Sequence, residues 1–100
     1  MTYKIKILPE AKIEIKKAKQ WYENQSVGLG EKFSEEIKKA IRTLSSSNID
    51  HKPIFTTHRR MLIHIFPYVV YYKRNEKSFI VKVIAVLHSK QSQDILIGRI

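Results

Sequence analysis

The chain contains no cysteine, so it has no disulfide framework, no thiol nucleophile and no thiolate metal ligand. Glycine and proline are scarce, three of each in 100 residues, which excludes a collagen-like or low-complexity chain. No apolar run approaches the roughly 20 residues needed to span a bilayer. The N-terminus, Met1-Thr2-Tyr3-Lys4-Ile5-Lys6, alternates charge with apolar residues and lacks the apolar core of a secretion signal. A cytoplasmic protein without membrane association is the expectation. Acidic residues are also few: nine Asp and Glu stand against nineteen Lys and Arg, for a formal net charge of +10.

What is present suits one domain over residues 1–100. A chain of this size buries roughly 60 to 65% of its unfolded surface around a single core. Hydrophobic residues at 43% and charged residues at 28% lie near globular averages. The charge is uneven. Residues 1–50 hold 10 Lys and Arg against 7 Asp and Glu, a net +3, whereas residues 51–100 hold 9 against 2, a net +7. Such an imbalance favours a polyanion or an acidic protein as partner, although scattered lysines also serve solubility.

Tyr3, Ile5 and Ile7 alternate with Thr2, Lys4 and Lys6, the period-two pattern of a strand with one wet face. Pro9 and Glu10 suit a first helical turn, and Ala11, Ile15, Ala18 and Tyr22 continue at helical spacing. Lys12, Lys16 and Lys19 line the opposite, solvated side. Turn-forming residues from Asn24 to Gly30 interrupt this helix, and Phe33, Ile37, Ala40, Ile41 and Leu44 define a second one. Gly28 and Gly30 lack the Lys-Ser or Lys-Thr of a phosphate-binding loop, so they mark a helix–helix turn. Ser45-Ser46-Ser47-Asn48 ends the second helix, and Pro53 restricts the adjoining segment to loop or edge strand.

From Ile54 onward β-branched and aromatic residues predict strands at Ile54–His58, Met61–Ile65, Val69–Lys73 and Phe79–His88, with Asn75-Glu76-Lys77 as a hairpin turn. Phe79, Val81, Val83, Ala85 and Leu87 share one face of the last strand. Ile80, Ile84 and Val86 make its other face apolar too, so this strand belongs inside the sheet. The expected fold is α+β: an N-terminal strand, a helical hairpin, then a three- to four-stranded antiparallel sheet with the hairpin on one face.

Three stretches resemble the RelE/ParE superfamily of type II toxin–antitoxin systems. Trp21-Tyr22-Glu23-Asn24-Gln25, with Gly28-Leu29-Gly30 and Phe33, resembles the helix connection of ParE-like toxins, where an aromatic-acidic helix end leads into Gly-Leu-Gly. Phe66-Pro67-Tyr68-Val69-Val70-Tyr71-Tyr72 is similar to the family's third strand, and Val83-Ile84-Ala85-Val86-Leu87-His88 to its last. The order and coverage match a βααβββ toxin over nearly the whole chain, closer to ParE-like than to RelE-like members.

Each stretch also has a physical role of its own. Trp21 and Tyr22 are large enough to seal the hairpin against the sheet, with core packing the expected task of Tyr22. Pro67 marks a turn, with Tyr68 opening the next strand. Of Tyr71 and Tyr72, one must face the helices, which leaves at most one for a ligand.

The resemblance implies one of two mechanisms. RelE-like members cut messenger RNA on the ribosome, and ParE-like members inhibit DNA gyrase without a nuclease site. Metal-free RNA cleavage needs a base for the 2′-hydroxyl, cations for the developing phosphorane charge and an acid for the leaving oxygen. Family placement puts Val69 and Ser89 where nuclease members tend to carry Arg, and no Tyr lies beyond Tyr72. The remaining candidates are Arg59, Arg60, His64, Lys73, His88 and Lys90, as contacts for a target or an antitoxin. Histidine suits proton transfer near neutrality, which makes His88 the best single acid-base candidate, yet a strand-end histidine bonded to backbone is the favoured explanation of it. Arg59 and Arg60, adjacent in an extended segment, point in opposite directions.

The favoured reading is a growth-inhibiting, plasmid-stabilisation type of toxin. It binds DNA gyrase or another topoisomerase without chemistry of its own, and a cognate acidic antitoxin neutralises it in a hetero-oligomer. The alternatives are a ribosome-dependent messenger endonuclease using His88, Lys90 and Arg60, or a degenerate non-toxic relative. No cofactor and no metal are expected, since four histidines without Cys or HExxH spacing make a weak ligand set. The apolar end Asp94-Ile95-Leu96-Ile97-Gly98-Arg99-Ile100 suits either core packing or partner contact.

Overall fold

A computed structural model describes residues 2–46 and 58–99. Strand β1 (Lys4–Ile7) leads into helices α1 (Pro9–Gln25) and α2 (Leu29–Thr43). Strands β2 (Arg59–Leu62), β3 (Tyr68–Asn75) and β4 (Ile80–His88) come next, then a 3-10 segment, Gln93–Arg99. The strands form one sheet in the order β1-β4-β3-β2. Strand β3 runs antiparallel to both neighbours, while β1 pairs with β4 in parallel. The sheet is therefore mixed, because everything between β1 and β4 acts as the long crossover that parallel pairing requires. β4 lies inside the sheet, as its two apolar faces predict.

The strand expected over Ile54–His58 lies outside the described residues except for His58, which is buried and belongs to no regular element. The next strand begins two residues earlier than expected and stops at Leu62. Beyond it the chain turns back at once, with the Ile63 amide donating to the Tyr68 carbonyl at 3.0 Å. Phe79 belongs to the β3–β4 turn rather than to β4. Its φ of 55° closes a hairpin in which the Asn75 side-chain oxygen accepts from the Lys77 and Ser78 amides.

The helical hairpin depends on one carboxylate. Gly28 adopts a φ of 88°, a left-handed conformation that favours glycine, and turns the chain into α2. Glu23, near the end of α1, accepts from the Gly28 amide at 3.0 Å and from the Gly30 amide at 3.0 Å. An anion thus sits at the positive end of α2 and satisfies donors that the helix leaves open. Gly30 is also where the helices touch: a Cβ there would stand 2.5 Å from the Lys19 carbonyl oxygen. The Gly-Leu-Gly start is a packing device already filled by the chain's own carboxylate.

From this hairpin Tyr22 and Phe33 stack with ring centroids 5.1 Å apart, and Phe66 and Tyr68 meet them edge-on. Trp21 departs from expectation. It leans its edge on Tyr22 but stays 58% exposed, because it points away from the stripe of Ala11, Ile15, Ala18 and Tyr22 that faces the core.

On β4 the alternation of faces is broken between Val83 and Ala85. Tyr71 pairs with Ala85 and Tyr72 with Val83, so Ile84 is an extra residue, a β-bulge. The bulge shifts the phase. Val81, Val83 and Val86 join Tyr72 in the core under the helices, whereas Ile84, Ala85 and Leu87 join Val69 and Tyr71 on the opposite face. The single face expected for Val81, Val83, Ala85 and Leu87 is split for this reason. Tyr71 and Tyr72 are both buried, one on each face, so neither is open to a ligand.

Leu96 of the 3-10 segment covers this second face and is fully buried, whereas Ile95 and Ile97 remain exposed. The apolar C-terminal stretch thus serves the core through one residue. Glu14 of α1 anchors it, accepting from Arg99 Nη1 at 2.9 Å and pairing with Nη2 at 2.8 Å. The same carboxylate accepts from the Val86 amide at 3.0 Å, on the stretch of β4 that β1 is too short to cover.

Replacing Glu23 by Ala should cost about 1–2 kcal/mol, the range of a lost helix cap. Gly30→Ala should cost about 1–3 kcal/mol through overpacking against α1. Urea unfolding measures both. A Gly30→Ala variant as stable as the parent would mean that the helices do not approach this closely.

Candidate functional site

The sheet register divides the basic residues between two ends of the molecule. Lys6 stands opposite Lys82, and Lys82 opposite Lys73, on three adjacent strands. Their neighbours Ile5, Ile7, Val81, Val83 and Tyr72 pack under the helices, so these lysines project from the other face. Strands lie about 4.8 Å apart, which places three ammonium-bearing chains in a row roughly 10 Å long. The row belongs to an open trough of about 700 Å³ at the β3–β4 hairpin end, lined also by Arg59, Arg74, Asn75, Glu76, Lys77, Ser78 and Ile80. Arg74 is held over the Tyr3 ring at 4.8 Å and donates to the Ser46 carbonyl.

The other end of the sheet gathers His64, His88 and Lys90. His88 closes β4 opposite Tyr68, with ring centroids 5.4 Å apart. Its Nδ1 accepts from the Lys90 amide at 3.1 Å, and its own amide donates to the Gln91 side chain at 2.8 Å. This is a histidine tied into its own turn, with Ser89 fastened to the Pro67 carbonyl beside it. Lys90 is exposed in the turn, and His64 is exposed in the β2–β3 connection. Burial raises the pKa of Tyr68, with a smaller contribution from Tyr22, so its hydroxyl stays protonated near neutrality.

Arg59 and Arg60 do point apart. Arg59 stands opposite Tyr72 and is half-buried, while Arg60 stands opposite Tyr71 and is exposed. The pair of Arg60 and His88 is not brought together. Tyr71 faces Ala85, three residues before His88, so Arg60 lies roughly 10 Å along the strands and two strand widths across from it. Lys73 is farther still, opposite Lys82, six residues from His88 or roughly 20 Å. Between these ends the sheet face is apolar: Val69, Tyr71, Ile84 and Leu87 lie there with Leu96 packed on them.

Lys6, Lys82 and His58 are not among the residues that motif and spacing point to. In sequence Lys6 and Lys82 are no more than the wet positions of two strands, and their meeting depends on the parallel register. His58 is fully buried, and its pKa falls below the ordinary value through burial first and the charge of Lys73 second. Among the described residues no group of three or more His, Cys, Asp or Glu could hold a metal ion, and no helix is long and apolar enough to cross a membrane.

A strand, a helical hairpin and a three-stranded meander that closes back on the first strand define the fold of the RelE and ParE toxins. Residues 5–93 match the family described as ParE toxin of type II toxin-antitoxin system, parDE. The chain belongs to this ParE toxin family, whose members are paired with an antitoxin. Among solved structures it resembles the chromosomal ParDE system of P. aeruginosa with a TM-score of 0.70 and 10% identity, over 86% of this chain and 95% of that one. It also resembles the isolated RelE toxin of E. coli with a TM-score of 0.62 and 19% identity, over 93% and 90% of the two chains. At these identities the likeness speaks for the fold. No individually curated protein matches the sequence significantly.

His58 makes stability depend on pH in a definite direction. Its folded pKa lies below the ordinary 6.5, so the unfolded chain binds the proton more readily. The stabilisation is full above 6.5 and is lost as pH falls from there through the folded pKa. His58→Gln should flatten the pH dependence of the unfolding free energy on the acid side of neutrality. An unchanged slope would mean that His58 already titrates like an unfolded histidine.

Proposed function

We propose that the chain is a non-catalytic toxin that stops growth by binding DNA gyrase or a related topoisomerase, and that a cognate acidic antitoxin neutralises it in a hetero-oligomer. The observation carrying this reading is that the basic residues do not converge on His88: strand register sets Arg60 and Lys73 away from it along and across the sheet. A phosphoryl transition state needs cations converging on the reacting phosphate beside a proton-transfer group. His88 shares the helix-facing side of the sheet with Tyr68, whose ring it abuts, whereas Arg60, opposite Tyr71, projects from the other side. The His88 Nδ1 is engaged by backbone, and Arg60 lies two strands away. Family membership over residues 5–93 supports the same reading.

The protein-binding surface falls on the edge strand β2 and the connection after it. Leu62 and Ile65 are 58% and 57% exposed there, flanked by Arg60 and His64. Exposed apolar residues next to cations suit a partner that offers apolar anchors within an acidic sequence. Arg60, His64, His88 and Lys90 act in this reading as contacts rather than as acid, base or electrophile. In a cytoplasmic setting, growth inhibition follows from topoisomerase binding by toxin that is free of antitoxin, and maintenance of the gene pair from the antitoxin's neutralising hold on it.

The purified chain should inhibit supercoiling by gyrase and leave ribosome-bound messenger intact. His88→Gln, which keeps a hydrogen-bonding side chain in the turn, should weaken growth inhibition only modestly, as the loss of one contact among several. Loss of a general acid or base costs about 10²–10⁴-fold in rate. A drop of that order in His88→Gln, with transcripts cut within codons in the parent, would establish the nuclease reading instead. Absence of any growth defect would mark a degenerate relative.

A further inference from the structure

We propose that the row of Lys6, Lys82 and Lys73, with the trough around it, binds the phosphate backbone of a duplex nucleic acid without reading its sequence. The inference stands apart from the choice of gyrase as target. Lysines directly opposite each other on neighbouring strands repel, and here the repulsion is repeated across two strand pairs. Among the described residues Lys6, Lys73, Lys77 and Lys82 line the trough with one acid, Glu76, while Arg59 and Arg74 border it from the helix side, Arg74 held over Tyr3 and on the Ser46 carbonyl. Such a concentration of one sign is relieved by a polyanion, whose condensed counterions are released on binding.

The remaining lining identifies the class of polyanion. Among the described residues the trough lining holds no aromatic side chain of the kind on which single-strand binding stacks unpaired bases. Ile80 is the one large apolar residue among its described lining. Protein–protein interfaces are depleted of Lys and rely on aromatic or apolar anchors, whereas protein–DNA interfaces are polar and strongly positive. The trough has the second composition. Phe79, in the hairpin turn between Ser78 and Ile80, sets its ring against Tyr3 of the helix-side core, while Leu62 and Ile65 stand at the far end of β2 and after it, and Ile95 and Ile97 on the C-terminal segment. Lysine ammonium groups act as flexible point charges without the bidentate fork that reads base edges, so contact with phosphates carries no sequence preference.

Fluorescence anisotropy with a labelled duplex of mixed sequence, titrated between about 50 and 200 mM salt, tests the proposal. Three phosphate contacts contribute about 2.7 to the slope of log K against log salt. The Lys6→Gln, Lys73→Gln, Lys82→Gln triple variant should lose that amount and weaken binding at the low-salt end by about tenfold or more. A triple variant of equal charge on the outer face of α1, Lys12→Gln, Lys16→Gln and Lys17→Gln, should keep most of both. Thermal unfolding of the row variant should begin no lower than in the parent, since mutual repulsion has been removed. Should the triple variant not fold, Lys82→Gln alone should reduce the slope by about one. Equal losses from the two triple variants would overturn the proposal in favour of diffuse charge. Absence of duplex binding would overturn it outright. Polyglutamate that displaces the duplex better than an unlabelled duplex does would make the trough an acidic-peptide site.

Discussion

The carboxylate of Glu23 at the start of α2 is the interaction on which the remaining architecture depends. It ties the end of one helix to the first amides of the next, and the left-handed Gly28 and unsubstituted Gly30 allow the backbones to approach. With the hairpin angle set this way, Tyr22 and Phe33 come into stacking contact and meet Phe66 and Tyr68. Tyr68 in turn abuts His88. A capping interaction on the helical layer is therefore transmitted, by ring contacts alone, to the far end of the sheet. The same carboxylate explains why a glycine-rich helix start on a basic protein offers no phosphate site: its donors are already occupied.

A second constraint comes from the bulge at Ile84. Helices cover only one side of this sheet, and a strand with regular alternation could turn one set of residues toward them and the other toward solvent. β4 instead changes phase once, which lets Val81, Val83 and Val86 serve one core and Ile84 and Leu87 the other. The second core is small and needs a lid, which Leu96 supplies. Glu14 holds that lid through Arg99 and also accepts from the β4 amide beyond the reach of β1. The hydrogen bond and charge of Glu14 outweigh the cost of burying the guanidinium, so Arg99 holds its proton more firmly than usual.

Local patterns are enough to read the fold class. Alternation at Tyr3, Ile5 and Ile7, helical stripes from Ala11 to Tyr22 and from Phe33 to Leu44, and the Gly-Leu-Gly turn all express short-range physics. The features that escape such reading depend on pairs distant in sequence. The bulge is a mismatch between two strands and has no mark in either one. Size alone suggests Trp21 as a seal beside Tyr22, although adjacent helical residues point about 100° apart and only one can face the core with the buried stripe. The basic row is invisible in sequence because its members are remote from one another. Lys6 and Lys82 are 76 positions apart, and only the parallel pairing of β1 with β4 makes them neighbours. The candidates Arg59, Arg60, His64, Lys73, His88 and Lys90 form a group by strand placement alone, and antiparallel register distributes them between opposite ends of the sheet.

This distribution bears on how a chain of 100 residues with a net charge of +10 can serve more than one partner. A single site mixing exposed Leu and Ile with a lysine row would bury unpaired ammonium groups whenever a protein docked, at a cost of several kcal/mol each. Separation avoids that cost. The β2 edge can desolvate on contact with a protein because its cations are few and peripheral, while the trough can stay wet because phosphate contacts tolerate intervening water. The buried second core of Val69, Leu87 and Leu96 lies between them and carries no charge that would couple the two. With the two proposed surfaces kept apart on one small sheet, a protein partner could be exchanged while a nucleic acid is held, which a single mixed surface of the same area would not allow.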